Sequence, residues 1–342
     1  MEDSEHQPSE DDDRELERQM LAVVKQAIPA ARVAKNAAKA LRRLSSLASD
    51  NLAAALEAGT SRFQLIRARD ELQIAQLAEL RRGQSAIGAR VAERLIEDQR
   101  RIDHLVLAAI EHVQNSSRPT SSEEEGAEIE DDWIESWRRE AAERSQGEMR
   151  ETFARILAGE IRAPGTFSIK TLRTVGALGQ STAHIFRRAA SLRVGMELET
   201  GPGTPPHVVD ARIPALGGEL GDNHLKSEGL DYGRLIELTE NGLLHSDYNS
   251  WRNYNPAMPH LKIGPTGGVI PFVHQGRRWA LNPLPGFQAG SELRIHGAQF
   301  TAVGRELLGI VDIESDARFL KKVRAYLKNQ NVEMVALSPD AA

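Results

Sequence analysis

Cysteine is absent from all 342 residues. That removes disulfides, thiol catalysis and cysteine-ligated zinc, and it fits a reducing cytoplasm. Aromatic residues make up only 5% of the chain, while alanine, leucine, arginine and glutamate crowd its first half, a composition that favours helices. No apolar run follows basic residues near the start, and none is long enough to span a bilayer, so a soluble cytoplasmic protein is expected. Gly-x-Gly-x-x-Gly, the Walker phosphate loop, Gly-x-Ser-x-Gly and His-Glu-x-x-His are all missing. The common nucleotide-binding, hydrolytic and zinc-protease chemistries are therefore not expected, no small-molecule substrate is evident, and no cofactor is implied.

What is present is enough apolar matter to bury a core: 40% of the residues are hydrophobic, sufficient for two or three domains. The formal charge of −6 is concentrated at one end. Residues 1–19 carry nine acidic side chains against Arg14 and Arg18, leaving the remainder close to neutral. With almost nothing apolar to bury, residues 1–13 are expected to be a disordered acidic tail.

Residues 14–114 form a helical region by pattern. After Pro29, at about 100° per residue, Arg32, Lys35, Lys39, Arg42 and Arg43 share one face, with Val33, Ala37, Leu41 and Leu44 opposite. Such a helix can meet an anionic membrane surface, follow nucleic-acid phosphates, or dock on a bundle with its charges in water. The apolar side is mostly alanine, too thin for firm membrane insertion, which favours the bundle. Residues 61–113 continue as one or two long helices, and helices of that length need partners along them, either within the chain or from another subunit. His104 and His112 can share a face, but no third ligand type lies nearby, so no metal site is expected.

Residues 115–130, with Pro119, serines and Glu123-Glu124-Glu125, are a linker by composition. The segment 131–194 is the clearest in the chain. Asp132 and Glu135 can cap a helix carrying Trp133, Trp137 and Ala141 on one face. Ser145 and Glu148 form a second capping box, followed at helical spacing by Met149, Phe153, Ile156, Leu157, Glu160 and Ile161. Pro164-Gly165 stops that helix. A third starts at Ser168 as N-cap, with Phe167 and Leu172 placed as a hydrophobic staple. Glu160 is expected to make a structural hydrogen bond or ion pair at a helix end, with Arg162 or Arg173 as candidate partners, rather than to act as an acid or base.

Asp132-Trp133-Ile134, Ser145, Glu148-Met149, the run Ile156 to Ile161, Pro164 to Ser168 and Thr171-Leu172 together resemble a bacterial family known only as a domain of unknown function, number 2806. The likeness is dense over some forty residues and implies no reaction, cofactor or catalytic residue. A weaker likeness, in Leu157-Ala158-Gly159-Glu160-Ile161 and Pro164-Gly165, is to the alpha-type abortive-infection proteins, and it implies a phage-defence or stress setting by analogy alone.

From residue 195 to 342 glycine, proline and isolated aromatics replace alanine. Asp231 can cap a short helix ended by Asn241-Gly242, a strand leaves through Leu243 to His245, and strands are expected near 260–263, 269–274, 278–281 and 293–296. Thr301 can cap a further helix, and a last helix at 316–328 precedes a strand at 332–337. Helix, ribbon and capped helix in that order resemble a winged helix. Its would-be recognition helix offers Asp231, Arg234, Glu237 and Glu240, unfavourable beside phosphates, although Lys262, Arg277, Arg278 and Trp279 could form a basic wing tip. His207, His224, His245, His260, His274 and His296 lie in this region beside Asp210 and Asp222, dispersed as structural histidines usually are. The expected fold class is mainly α with a C-terminal α+β winged-helix-like domain. The expected action is association with protein partners or with itself, as a non-enzymatic scaffold or sensor, with nucleic-acid binding and peripheral membrane action as the alternatives.

Overall fold

The computed structural model describes residues 18, 21, 22, 24, 25, 28–45, 86–115, 127–143, 147–198, 206–259, 270–288 and 290–337. The acidic tail at 1–13, the helical reading of 61–80, Ser145 and Lys262 lie outside them. The chain divides into two compact units, the first spanning Met1–Gly176 and the second taking up the chain from Ala177.

The first unit is built of helices: α1 (Ala31–Leu44), α2 (Ala86–Gln114), α3 (Asp131–Ala142), α4 (Gly147–Arg162) and α5 (Ile169–Ala177). Helix α2 lies along α4 and touches α1 and α3. On α1, Val33, Ala37, Leu41 and Leu44 are buried, so alanine thins the apolar stripe and lets the backbones approach. On α3, Trp133 and Trp137 are buried one turn apart. Each ring's N–H finds a backbone oxygen: Trp133 Nε1 donates to the Phe167 carbonyl at 2.6 Å, and Trp137 Nε1 to the Phe153 carbonyl at 3.1 Å. Trp137 also meets the Phe153 ring edge-on, with centroids 6.4 Å apart, so its apolar and polar ends are both satisfied. Helix α3 begins at Asp131 after Glu130, which makes no side-chain cap. The expected capping role of Asp132 is thus corrected: Asp131 and Asp132 occupy the first turn, where carboxylates favour the positive end of the helix dipole. Ser168 does cap α5, its Oγ accepting from the Thr171 N–H at 3.2 Å.

The second unit overturns the winged-helix expectation. Its strands are β1 (Val194–Leu198), β2 (His207–Pro214), β3 (Trp251–Asn253), β4 (Phe272–His274), β5 (Arg277–Pro283), β6 (Arg294–Gln299) and β7 (Val332–Ala336). They form one seven-stranded sheet in the order β3-β6-β2-β1-β4-β5-β7, and every pairing is antiparallel. A winged helix needs only a short ribbon beside its helices. Here β1 and β2, which precede the expected recognition helix, form the middle of the sheet, and a register shift at Met196/Glu197 adds local twist. The segment expected to leave that helix as a strand makes only an isolated bridge, Leu244 to Phe300. Four α-helices accompany the sheet among the described residues: α6 (Gln180–Leu192), α7 (Tyr232–Glu240), α8 (Ala302–Leu308) and α9 (Ala317–Asn329). Helix α6 packs on β2 and α7. The local stop and start signals in this unit are as expected: the Asp231 carboxylate accepts from the Arg234 N–H, Thr301 Oγ1 accepts from the Gly304 N–H, and Gly242 takes φ 70°.

Candidate functional site

The basic face of α1 is met by carboxylates of the same chain. Lys35 Nζ lies 2.5 Å from Glu128, Lys39 Nζ 3.1 Å from Asp131 and 2.7 Å from the Ile129 carbonyl, and Arg43 3.0 Å from Asp131. Arg32 donates to the Arg162 carbonyl at 3.4 Å, and Arg42 also has an interaction partner. The hydrogen bond from Lys35 holds the Glu128 carboxyl below its usual range, and that from Lys39 does the same for Asp131. Both carboxylates are about half exposed, so each pair contributes little stability. Their effect is on recognition: a membrane or nucleic acid approaching this face would have to displace Glu128 and Asp131.

The Pro164-Gly165 corner is organised by Glu160. Its side chain is 2% exposed and accepts from the Gly165 N–H at 2.6 Å and the Phe167 N–H at 3.0 Å, so it closes the turn from α4 into α5. Gly165 sits at φ 86°, a conformation that side chains disfavour. Gly159 faces the Phe167 ring so closely that an added Cβ would fall 2.6 Å from Cε2. The expected structural role of Glu160 therefore takes the form of hydrogen bonds to turn amides. Its neighbour Arg162 donates to the carbonyls of His112 and Val113. Glu160→Ala is expected to cost about 2–4 kcal/mol, because two amides lose their acceptor. Glu160→Gln, which keeps one acceptor oxygen, is expected to lose about half as much. Urea unfolding checks both values, and a loss below 1 kcal/mol in the alanine variant would remove the assignment.

Between α2 and α4 the first unit carries a cleft of about 470 Å³. From α2 it is lined by Glu97, Arg100, Arg101, His104, Leu105 and Ala108, and from α4 by Gly147, Arg150, Glu151 and Ala154. Helical spacing puts each set on one face, and each stripe ends in alanine where the helices draw together. Two acids are compensated by defined neighbours. Glu97 lies 4.0 Å from Arg101, and Glu151 is bound by His112 Nε2 at 2.8 Å and Arg155 Nε at 3.2 Å, neither of which lines the cleft. Arg101 also reaches Asp98 at 2.8 Å. The expectation for this region concerned His104 and His112 as a pair, but the structure separates their roles, the first lining the cleft and the second pairing with Glu151. The readable signal was a polar face at 97, 100, 101 and 104 recurring every three to four residues.

Of the expected wing residues, Arg277 is exposed at the start of β5, Arg278 has an interaction partner, and Trp279 is buried. Arg324 lies over the Trp279 ring at 5.1 Å. Trp279 is therefore a packing residue of the sheet. The second unit also holds a sealed ionic cluster. Arg212 Nε and Nη2 donate to the two Asp210 oxygens at 2.7 and 2.9 Å, its Nη1 donates to the Ser250 and Ile295 carbonyls, and the Tyr254 hydroxyl donates to Asp210 at 2.6 Å. Burial pushes the Tyr254 hydroxyl well above its usual value, the Asp210 charge adds to this, and Arg212 opposes it. Burial works against the Arg212 charge, but its bonds to Asp210 prevail and its pKa rises. His260 lies outside the described residues, and among the described residues no group of histidines and carboxylates is placed to hold a metal. Among the same residues no helix is long and apolar enough to cross a membrane.

The model of a family described as Protein of unknown function (DUF2806) covers residues 86–324, from the first residue of α2 into α9. No curated protein and no solved structure matches the chain.

Proposed function

The chain belongs to the family of unknown function DUF2806, and from that premise we propose that it is a non-enzymatic cytoplasmic scaffold or regulatory protein acting by association, with a second copy of itself as its first partner. One observation carries this reading. On α2, Val91 is 53% exposed and Leu95, one turn further on, is 64% exposed. Two branched apolar side chains on the same face of a long helix gain by being covered. The charges around them suit a like partner. Arg90 precedes Val91, and Glu97 and Asp98 follow Leu95. An antiparallel pair related by a two-fold axis would set Val91 against Leu95 and bring Arg90 of each copy toward Glu97 of the other, so that the patch complements itself.

Light scattering on the full chain after size exclusion tests this. A dimer is expected at micromolar concentration, and Val91→Glu with Leu95→Glu is expected to weaken it by about a hundredfold while the far-ultraviolet dichroism stays unchanged. A wild-type chain that is monomeric throughout that range, or a double variant of unchanged mass, would refute it. Phage defence or a stress response is the setting we attach to the association, on the likeness to abortive-infection proteins alone. Reduced phage plating on cells expressing the chain, relieved by the same double variant, would support that setting, and equal plating would remove it.

A further inference from the structure

We infer that helix α9, together with Trp251 at the sheet edge, is a docking surface for single-stranded nucleic acid. All of it lies in the second unit. Between Ala317 and Asn329 the helix carries five cations and no acid. Phe319, Val323 and Leu327 are buried every four residues, which turns Arg318, Lys321, Arg324 and Lys328 outward, and all four are exposed. The acids around the helix are engaged elsewhere. Asp316 caps it and pairs with Arg188 at 2.8 Å, and Glu314 lies 3.7 Å from Arg187. Glu228 pairs with Lys322 and takes that one cation out of the count. Glu333 of β7 alternates with buried Val332 and Met334, so it lies on the opposite side of the strand from them. Among the described residues no carboxylate pairs with Arg318, Lys321, Arg324 or Lys328. Arg324 lies over the Trp279 ring, a contact that leaves its charge unneutralised. From Arg318 to Lys328 the helix rises about 15 Å at 1.5 Å per residue, enough to follow several consecutive phosphates.

The second component is aromatic. Trp251 is 44% exposed on β3, the edge strand. The Arg294 guanidinium, itself paired with Glu292 at 2.6 Å, lies over the Trp251 ring at 4.1 Å and holds it in place. Tyr326 of α9 donates its hydroxyl to the Arg294 carbonyl at 3.3 Å, which ties the basic helix to β6, the strand paired with β3. Stacking of a base on an exposed ring beside a cationic track holds single strands without reading their sequence. A duplex keeps its bases in its own stack and gives Trp251 no partner. A lipid surface is disfavoured, because Phe319, Val323 and Leu327 are spent on the core and leave α9 no apolar side to insert.

Fluorescence anisotropy of a labelled oligothymidylate of about twenty nucleotides, titrated with the full chain, tests the surface. Saturable micromolar binding is expected at about 50 mM salt, weakening at least tenfold by about 200 mM as roughly three to four phosphate contacts are screened. Arg318→Gln with Lys321→Gln and Lys328→Gln is expected to weaken binding at least tenfold and to flatten the salt dependence. Trp251→Ala is expected to weaken it at least fivefold and to leave the salt dependence unchanged, a split that general loss of structure would not produce. Lys35→Gln with Arg43→Gln removes two exposed cations already paired with Glu128 and Asp131, and is expected to change neither quantity. Absence of binding at about 50 mM salt, or an affinity unmoved by the triple variant or by Trp251→Ala, would overturn the inference. Equal weakening by the Lys35 and Arg43 pair would do the same, since net charge and not α9 would then be responsible. Tighter binding to a duplex of the same length, or to phosphatidylserine vesicles, would assign the basic face to those partners and remove the single strand.

Discussion

Asp210→Ala is expected to destabilise the sheet-bearing unit by about 3–5 kcal/mol, the cost of leaving a buried cation without its partner. Arg212 is 1% exposed and Asp210 fully buried, so water cannot replace the lost carboxylate. The substitution also strands the Tyr254 hydroxyl, which donates to Asp210 at 2.6 Å. Tyr254→Phe isolates that smaller contribution and should cost about 1–2 kcal/mol. Adding Arg212→Met to Asp210→Ala removes the orphaned charge while keeping an unbranched side chain, and should restore at least 1 kcal/mol of the loss. The recovery stays incomplete because the Ser250 and Ile295 carbonyls lose the bonds from Arg212. Equilibrium urea unfolding of the four proteins decides the matter. An Asp210→Ala variant within 1 kcal/mol of wild type would show that the cluster does not hold this region together, and a double variant no more stable than the single would show that the penalty is not electrostatic.

The same cluster explains where the sequence misled. Strand β2, His-Val-Val-Asp-Ala-Arg-Ile-Pro, has two charged residues at alternate positions, which by period-two logic marks a solvent-facing side. In the fold, Asp210 and Arg212 neutralise one another on a buried face, and the strand lies in the middle of the sheet. Missing β2 meant missing β1, with which it pairs, and the later strands then looked like a lone ribbon beside a helix. Local grammar was reliable at Ser168, Asp231, Thr301 and Gly242, which announce their caps and stops because those preferences are set by the nearest few residues, whereas the cap read at Asp132 is not made. The tryptophan helix and its Pro-Gly corner were legible for the same reason. The cleft was not, because its two walls lie some fifty residues apart and only helix pairing brings Arg100 to face Arg150. Nor could the basic stripe of α1 be assigned its partners, since Glu128 and Asp131 come from about ninety residues away.

Lowering the pH from 7 to 5 is expected to cost the second unit about 2 kcal/mol through His274 alone. The imidazole is fully buried on β4, beside the Phe319 ring at 5.8 Å. Nδ1 lies 2.8 Å from the Arg193 carbonyl. A carbonyl can only accept, so the neutral tautomer carries its proton on Nδ1 and leaves Nε2 as a lone pair in the core, without a hydrogen-bond partner. Burial opposes a second proton, and the pKa falls to about 4. In the unfolded chain the same group titrates near its ordinary value of 6.5. Above that value both states are neutral and the contribution is fully present. Between 6.5 and 4 the unfolded chain takes up a proton that the folded one refuses, so stability falls steadily with acidification. His274→Phe replaces the imidazole with a ring of comparable size that cannot titrate. The variant should start less stable at pH 7, for want of the bond to Arg193, yet lose less on acidification. The carboxylates held low by ion pairs, Glu128, Asp131, Glu228 and Asp316, lose their contribution as the pH falls through the ordinary carboxylate range and below it. The interval from pH 5 to 6.5 therefore reports chiefly on His274. Identical slopes for wild type and variant across that interval would mean that the imidazole finds a way to charge without unfolding, and the sealed environment assigned to it would have to be abandoned.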